Sequence, residues 1–261
     1  MLLSLKKIQN VLLNIAVDPK LIADMKSSEV IKRRFDLSQD EYDSIMKLDF
    51  DTLHKFCIRV ALKRIRTSPA NQHIWRTMDI LGLKGAEERM IERFISEHVM
   101  LQNDWLSKVP QFLGYIQECS DDTVIAEIAR FEEWFFYLSQ RNIDTEKNAT
   151  DNQSSLSIGI DLCEMPFIAE PILKNDILRD KDIIAIESSI GNTSFILGKK
   201  QGNDIELFEI DRCTYMIIND LNPVFHKEEF LKVADNKIAE LMAEYTAVNL
   251  WDQLRDLEII V

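Results

Sequence analysis

Two pairs of side chains in this 261-residue chain have the types and spacing from which a metal site could be started. His54 and Cys57 stand three residues apart, on one face of any helix that carries both, and Glu97 is followed directly by His98. Two ligands at i and i+3 do not make a site: a structural metal takes four protein ligands and a catalytic one usually three. Four histidines spread over the chain rarely converge, so packing in the core or at the surface is the favoured reading of His54, Cys57 and His98. The four cysteines, Cys57, Cys119, Cys163 and Cys213, contain no C-x-x-C pair, which argues against a zinc ribbon and against a disulfide framework. They are expected to be reduced core thiols. No H-E-x-x-H, P-loop, G-x-S-x-G or G-x-G-x-x-G spacing occurs. The chain is therefore expected to be non-catalytic, with no catalytic residue, metal or cofactor of its own.

Charge narrows the partners. Asp and Glu number 44 against 31 Lys and Arg, a formal net charge of -13, so the chain as a whole repels a phosphate backbone and binding to nucleic acid is disfavoured. The carboxylates are read as solvating groups. Two basic clusters interrupt this background, Lys32-Arg33-Arg34 and the set Arg59, Lys63, Arg64 and Arg66. Each is read first as a solvated helix face with local ion pairs, and second as a dock for an acidic partner. No apolar run reaches the ~18 to 20 residues needed to cross a bilayer. The N-terminus, with Lys6, Lys7, Gln9 and Asn10 among its leucines, reads as an amphipathic helix instead of a signal peptide, and a cytoplasmic protein is expected.

The elements that position these groups fall into two textures, and a chain of this length is comfortable as two domains. Up to Arg141 apolar residues recur at three- and four-residue spacing, which predicts a helical bundle over residues 1–143. Ser38-Gln39-Asp40-Glu41 is a capping box that starts a helix, and another is expected from about Phe50 to Ile65. Ser68-Pro69 opens one that Leu81-Gly82 closes, and three more fit Glu87 to Glu97, Asp104 to Cys119 with Pro110 bending or dividing it, and Asp122 to Gln140. Residues 144–155 hold a single hydrophobic residue, Ala149, and are read as a linker. Residues 156–261 then show β-branched alternation. Three strands are predicted at Ile183 to Ser189, Thr193 to Lys199 and Asp204 to Asp211, with turns at Gly191-Asn192 and Gln201-Gly202-Asn203. Helices follow from Arg212, from Glu228 to Val233, and through Ile238, Leu241, Tyr245 and Leu250. The fold class expected is α+β, an all-α N-terminal bundle followed by a winged-helix-like module of a three-stranded sheet and helices.

Two features of this plan could bind a partner. The aromatic stripe of Phe131, Trp134 and Phe135 has helical spacing and reads as core before interface, although Trp and Tyr are also enriched at interface centres. The strand Asp204 to Asp211 alternates its side chains. At a sheet edge, its free backbone groups could pair with an incoming extended peptide.

Ordered motifs between Ser68 and Gln140 carry a resemblance. They are Leu81-Gly82, Phe94 with His98, Pro110-Gln111-Phe112-Leu113 and Ala126 to Trp134, AEIARFEEW. The set resembles the partner-protein family of multinuclear non-haem iron-dependent oxidative enzymes in peptide natural-product biosynthesis, which includes the methanobactin partner subunit and relatives labelled putative DNA-binding proteins. Residues from Ile183 to Val233 match by pattern only. Residues Met1 to Thr67 depart from the family, whose usual start is shorter, and within them the segment from Leu21 to Leu53 instead looks like the small helical domain of extradiol-dioxygenase small subunits and of some precursor peptides. The resemblance implies a heterodimer with a multinuclear non-haem iron oxidase that holds the iron, and a ribosomal precursor peptide as ligand. Its leader would lie on a strand edge beside the last helix, at Phe208, Ile210, Leu241 and Tyr245. The helical domain would supply the fixed interface, with Trp105, Phe112, Phe131 and Trp134 as its expected residues. The rival expectation is a winged-helix DNA-binding regulator. Against it, the helix from Lys227 to Ala243 balances Lys with Glu and Asp and has no Arg.

Overall fold

The computed structural model describes residues 28–49, 72–98, 105–141, 154–157, 159–175 and 177–261, with scattered residues at 6–8, 10–12, 14, 21, 52–53, 55–56, 59–60, 63 and 67. The fold is α+β. Contacts divide it into two compact units, Met1–Cys119 and Ser120–Val261.

Among the described residues the first unit is all helix. Helices α1 (Ser28–Phe35) and α2 (Gln39–Ile45) are joined through Asp36, which takes a left-handed conformation at φ 51. The predicted capping box starts α2: the Glu41 N–H donates to Ser38 Oγ at 3.3 Å and the Ser38 N–H donates to Glu41 Oε2 at 2.9 Å. Tyr42 and Ile45 then face inward onto Val11, Leu21, Ile31 and Leu37. Helices α3 (Trp75–Leu83), α4 (Glu87–Glu97) and α5 (Trp105–Cys119) follow, with Pro110 inside α5 and not dividing it. The left-handed closing residue of α3 is Gly85, φ +64, and not Gly82, because the helix runs on to Leu83 before it turns. The expected helix from Phe50 to Ile65 and the Ser68-Pro69 start lie largely outside the described residues, as do His54 and Cys57.

The second unit begins with α6 (Thr123–Gln140), whose N-cap Asp122 accepts from the N–H groups of Val124 and Ile125. Its sheet is antiparallel in the order β2 (Ile160–Met165), β3 (Ser194–Gln201), β4 (Asp204–Ile210). A separate two-residue pairing joins β1 (Ser154–Ser155) to β5 (Val224–Phe225), so the last two residues of the expected linker are in strand; the rest of it lies outside the described residues.

The structure departs from the expected elements at two places. The segment from Ile183 to Ser189 is not a strand but most of helix α8 (Asp180–Ser188), which with α7 (Glu170–Lys174) fills the β2–β3 connection. Its apolar run fits either period. The Arg179 N–H donating to Asp182 at 2.9 Å starts the helix, and Ile183 and Ile186, three apart, are its buried face. The third strand is instead β2, where Asp161 and Glu164 interrupt the apolar alternation. The last helices also break elsewhere. After α9 (Arg212–Asp220), α10 runs unbroken over Lys227–Leu241 and stops at Met242, φ 52. Tyr245 lies in the connection, and Leu250 belongs to α11 (Ala247–Asp256).

The sheet has helices on both faces. Leu162, Leu197 and Phe208 lie side by side across it and pack onto a core with Phe225, Phe230, Leu250 and Trp251 from β5, α10 and α11. On the other face lie Cys163, Ile196 and Gly198, and against these packs α6, a helix grouped on sequence grounds with the N-terminal bundle. Gly198 makes this possible. A Cβ there would fall 2.5 Å from Leu138 Cδ2 and 2.9 Å from a ring carbon of Trp134, inside van der Waals contact. Two buried lysines beside it hold the layers together. Lys199 donates to Leu257 O at 2.7 Å at the end of α11, and Lys200 donates to Ser139 O and Arg141 O at the end of α6. Adjacent strand residues point to opposite faces, so each ammonium meets the negative end of a different helix.

Candidate functional site

The hydrogen-bond parity of the sheet decides which backbone groups face outward. The Lys200 N–H donates to Gly159 O at 2.9 Å, so residues 159, 161, 163 and 165 bond to β3 and the backbone groups of Ile160, Leu162 and Glu164 point away from it. The same alternation carried across β3 makes Phe195 with Ile210, Leu197 with Phe208, Lys199 with Glu206 and Gln201 with Asp204 the bonded pairs. That agrees with the two-residue turn at Gly202-Asn203, since the residues flanking such a turn bond to each other. Ile205, Leu207 and Glu209 on β4 therefore direct their N–H and C=O groups outward.

The two outer strands are treated differently. On β2, Arg141 Nη1 donates to Ile160 O at 3.0 Å and pairs with the Asp161 carboxylate, and Arg130 Nη2 donates to Glu164 O while its Nε donates to Glu127 at 2.7 Å. Helix α6 thus covers this edge. On β4, no backbone hydrogen bond among the described residues reaches the outer groups of Ile205, Leu207 or Glu209.

The four residues expected to bind peptide pack against one core, two of them from this open strand. Phe208 and Ile210 from β4, Leu241 from the end of α10 and Tyr245 from the following connection are all half-buried against the same core. The Tyr245 hydroxyl donates to Asp211 Oδ1 at 2.8 Å and lies 3.0 Å from Thr214 Oγ1. Asp211 also caps α9 by accepting from the Cys213 and Thr214 N–H groups. Burial opposes its charge, but the bonds from the Thr214 side chain and backbone, from Tyr245 and from Cys213 outweigh burial and hold its carboxyl below the usual range. Burial together with the adjoining carboxylate pushes the Tyr245 phenol well above its ordinary value.

Beyond Ile210 the strand opens on a cleft of about 660 Å³. Phe195, Ile210, Tyr215 and Met216 form its apolar part, with the Phe195 and Tyr215 rings 4.8 Å apart. Glu164, Glu209 and Asp211 supply three carboxylates against one guanidinium, Arg212. Sequence reading missed this cleft, together with Arg130, Arg141, Gly198, Lys199 and Lys200. The legible trace was GKK directly after the apolar run Phe195 to Leu197 in β3.

The expected interface residues lie elsewhere. Phe112 is fully buried in the first unit, with its ring 5.1 Å from that of Phe94, and Phe131 is fully buried in the second. Trp134 is half-buried with its indole over Gly198, and Trp105 is the first residue of α5. His98 ends α4, stacked on Phe94 at 4.5 Å with its Nδ1 3.1 Å from Phe94 O. Cys119, Cys163 and Cys213 are free, and burial pushes the Cys163 thiol up to about 11, so it is protonated at neutral pH. Among the described residues no three His, Cys, Asp or Glu side chains gather as a metal site, and no helix is long and apolar enough to cross a membrane. Lys32 and Arg34 of the first basic cluster lie in the last turn of α1, beside the rings of Tyr42 and Phe35. That position favours positive charge on helix-dipole grounds. A scan against protein-family models finds no match for the chain, and a comparison with curated proteins finds none either.

Proposed function

We propose that this chain is the non-catalytic partner subunit of a multinuclear non-haem iron oxidase. It binds the leader of a ribosomal precursor peptide by strand addition to β4, and it presents a core residue, a cysteine in the family that it resembles, to iron held by the other subunit. The observation that carries the binding half is the open edge of β4, with outward groups at Ile205, Leu207 and Glu209 on a strand whose half-buried Phe208 and Ile210 share a core with Leu241 and Tyr245. Main-chain bonds on such an edge supply affinity, and the alternating side chains supply selection. The oxidase and its iron enter through the motifs between Ser68 and Gln140. The regulator reading gains little from α10, where Lys237 is already engaged by Asp220 at 3.1 Å and Glu240 at 3.7 Å.

Co-expression with a neighbouring iron oxidase and short precursor-like reading frames tests the proposal, with co-purification and the precursor's mass as readouts. A stable complex and a mass shift that needs both proteins is the expected result. A lone chain that ignores both and retards its own promoter DNA instead would favour the regulator.

A further inference from the structure

Resting on the strand-addition reading above, we infer that the segment received by β4 is basic, and that one of its lysine or arginine side chains enters the cleft at the C-terminal end of the strand. Between Gly202 and Asp211 the chain reads GNDIELFEID, four carboxylates and no cation. Because side chains alternate, Glu206 lies on the face of Phe208 and Glu209 on the opposite one, so an added strand meets negative charge on both sides.

Edges are commonly protected by charge, and here the sign of that charge selects the occupant. A second copy of this chain would bring the same carboxylates against themselves, which is unfavourable for like charges directly opposite. An acidic segment is rejected for the same reason. A basic extended peptide is the occupant that gains from every one of these groups. The cleft continues the pattern: Glu164, Glu209 and Asp211 outnumber Arg212, and the Phe195 and Tyr215 rings line it for the methylene stem and the cationic head. One oxygen of Glu209 already accepts from Ser194 Oγ at 2.7 Å, which fixes that carboxylate at the cleft wall.

The test uses the full chain and fluorescein-labelled dodecapeptides of alternating Thr and Val, with Lys, Gln or Glu at two interior positions. Fluorescence anisotropy at low and high salt gives affinity, and amide hydrogen exchange at Ile205, Leu207 and Glu209 reports pairing. The Lys peptide should bind about tenfold or more tighter than the Glu peptide, weaken with salt and protect the Leu207 amide. The double variant Glu164→Gln and Glu209→Gln should lose most of the preference for Lys while still protecting that amide. If all three peptides protect β4 with equal affinity, the basic-ligand inference is overturned and strand addition stands. If the Lys peptide binds without protecting β4, or if none binds, both fail.

Discussion

The outer strands β2 and β4 end the same sheet, yet they meet their surroundings in opposite ways. The outward carbonyls of Ile160 and Glu164 on β2 receive guanidinium groups from Arg141, just past the end of the helix packed over that side, and from Arg130 within it. The outward groups of Ile205, Leu207 and Glu209 on β4 receive no backbone bond from the described residues and are flanked by carboxylates. A bare edge is an aggregation hazard unless something manages it, and the two solutions differ in what they permit. Covering with arginine closes β2 to every strand. Charge of one sign leaves β4 open to a partner of the other.

The largest effect that breaks the comparison comes from proline placed at neighbouring positions of β4. Phe208 directs its N–H into the ladder with Leu197 and its ring onto the core. Phe208→Pro should therefore cost about 3 kcal/mol or more in a urea titration. Leu207 points its N–H outward, so Leu207→Pro removes no ladder bond. It should stay within about 1.5 kcal/mol of the parent, chiefly lost side-chain packing, while abolishing peptide-induced protection of the edge. Equal destabilisation by the two would refute the parity assigned here.

Next in size is Gly198→Ala, which places a methyl group where Leu138 and Trp134 lie. Overpacking should cost about 2 kcal/mol and lift α6 from the sheet. Faster amide exchange along β2, with β4 little changed, is the expected signature. Smaller still is Arg130→Ala, which uncovers Glu164 O on a part-exposed surface. About 1 kcal/mol is expected, with increased self-association by light scattering as the second readout. No change in either would mean that α6 shields β2 by packing alone.

How much of this was legible follows from how local each signal is. The capping box at Ser38, the Asp122 start of α6 and the Gly202 hairpin turn are written within four or five consecutive residues, and each was found where expected, as was the amphipathic span of α4. Phe208, Ile210, Leu241 and Tyr245 were expected together and meet on one core, although Tyr245 reaches it from a connection and not from a helix. The segment from Ile183 to Ser189 misled because an isoleucine-rich run satisfies both periods, and a single backbone-to-Asp182 bond decides between them. The arginine cover on β2 was invisible: Arg130 and Glu164 are 34 residues apart, and only the sheet brings them together. The cleft was hidden for the same reason, since Glu164 and Glu209 come from the two outer strands.

The smallest effect separates the charge of the β4 end from its shape. Asp211 has a folded-state pKa depressed below its ordinary value, so its contribution to stability is fully present above about pH 4 and is lost as pH falls through the folded value. Asp211→Asn keeps a side-chain oxygen for the α9 cap but removes the charge. Part of the group is exposed, so solvent screening limits the difference to on the order of half a kcal/mol. Urea midpoints of parent and variant should differ most above pH 4 and converge as the pH falls through the depressed folded-state value. Tyr245 supplies the opposite limb. Its raised phenol pKa makes a contribution that is present below about pH 10 and is lost as pH rises, so Tyr245→Phe should flatten the alkaline side and, by removing one bond to Asp211, shrink the acid limb as well. Parallel curves at both ends would mean that these bonds position the strand end without holding its charge, and the basic-peptide preference would then have to rest on Glu164 and Glu209.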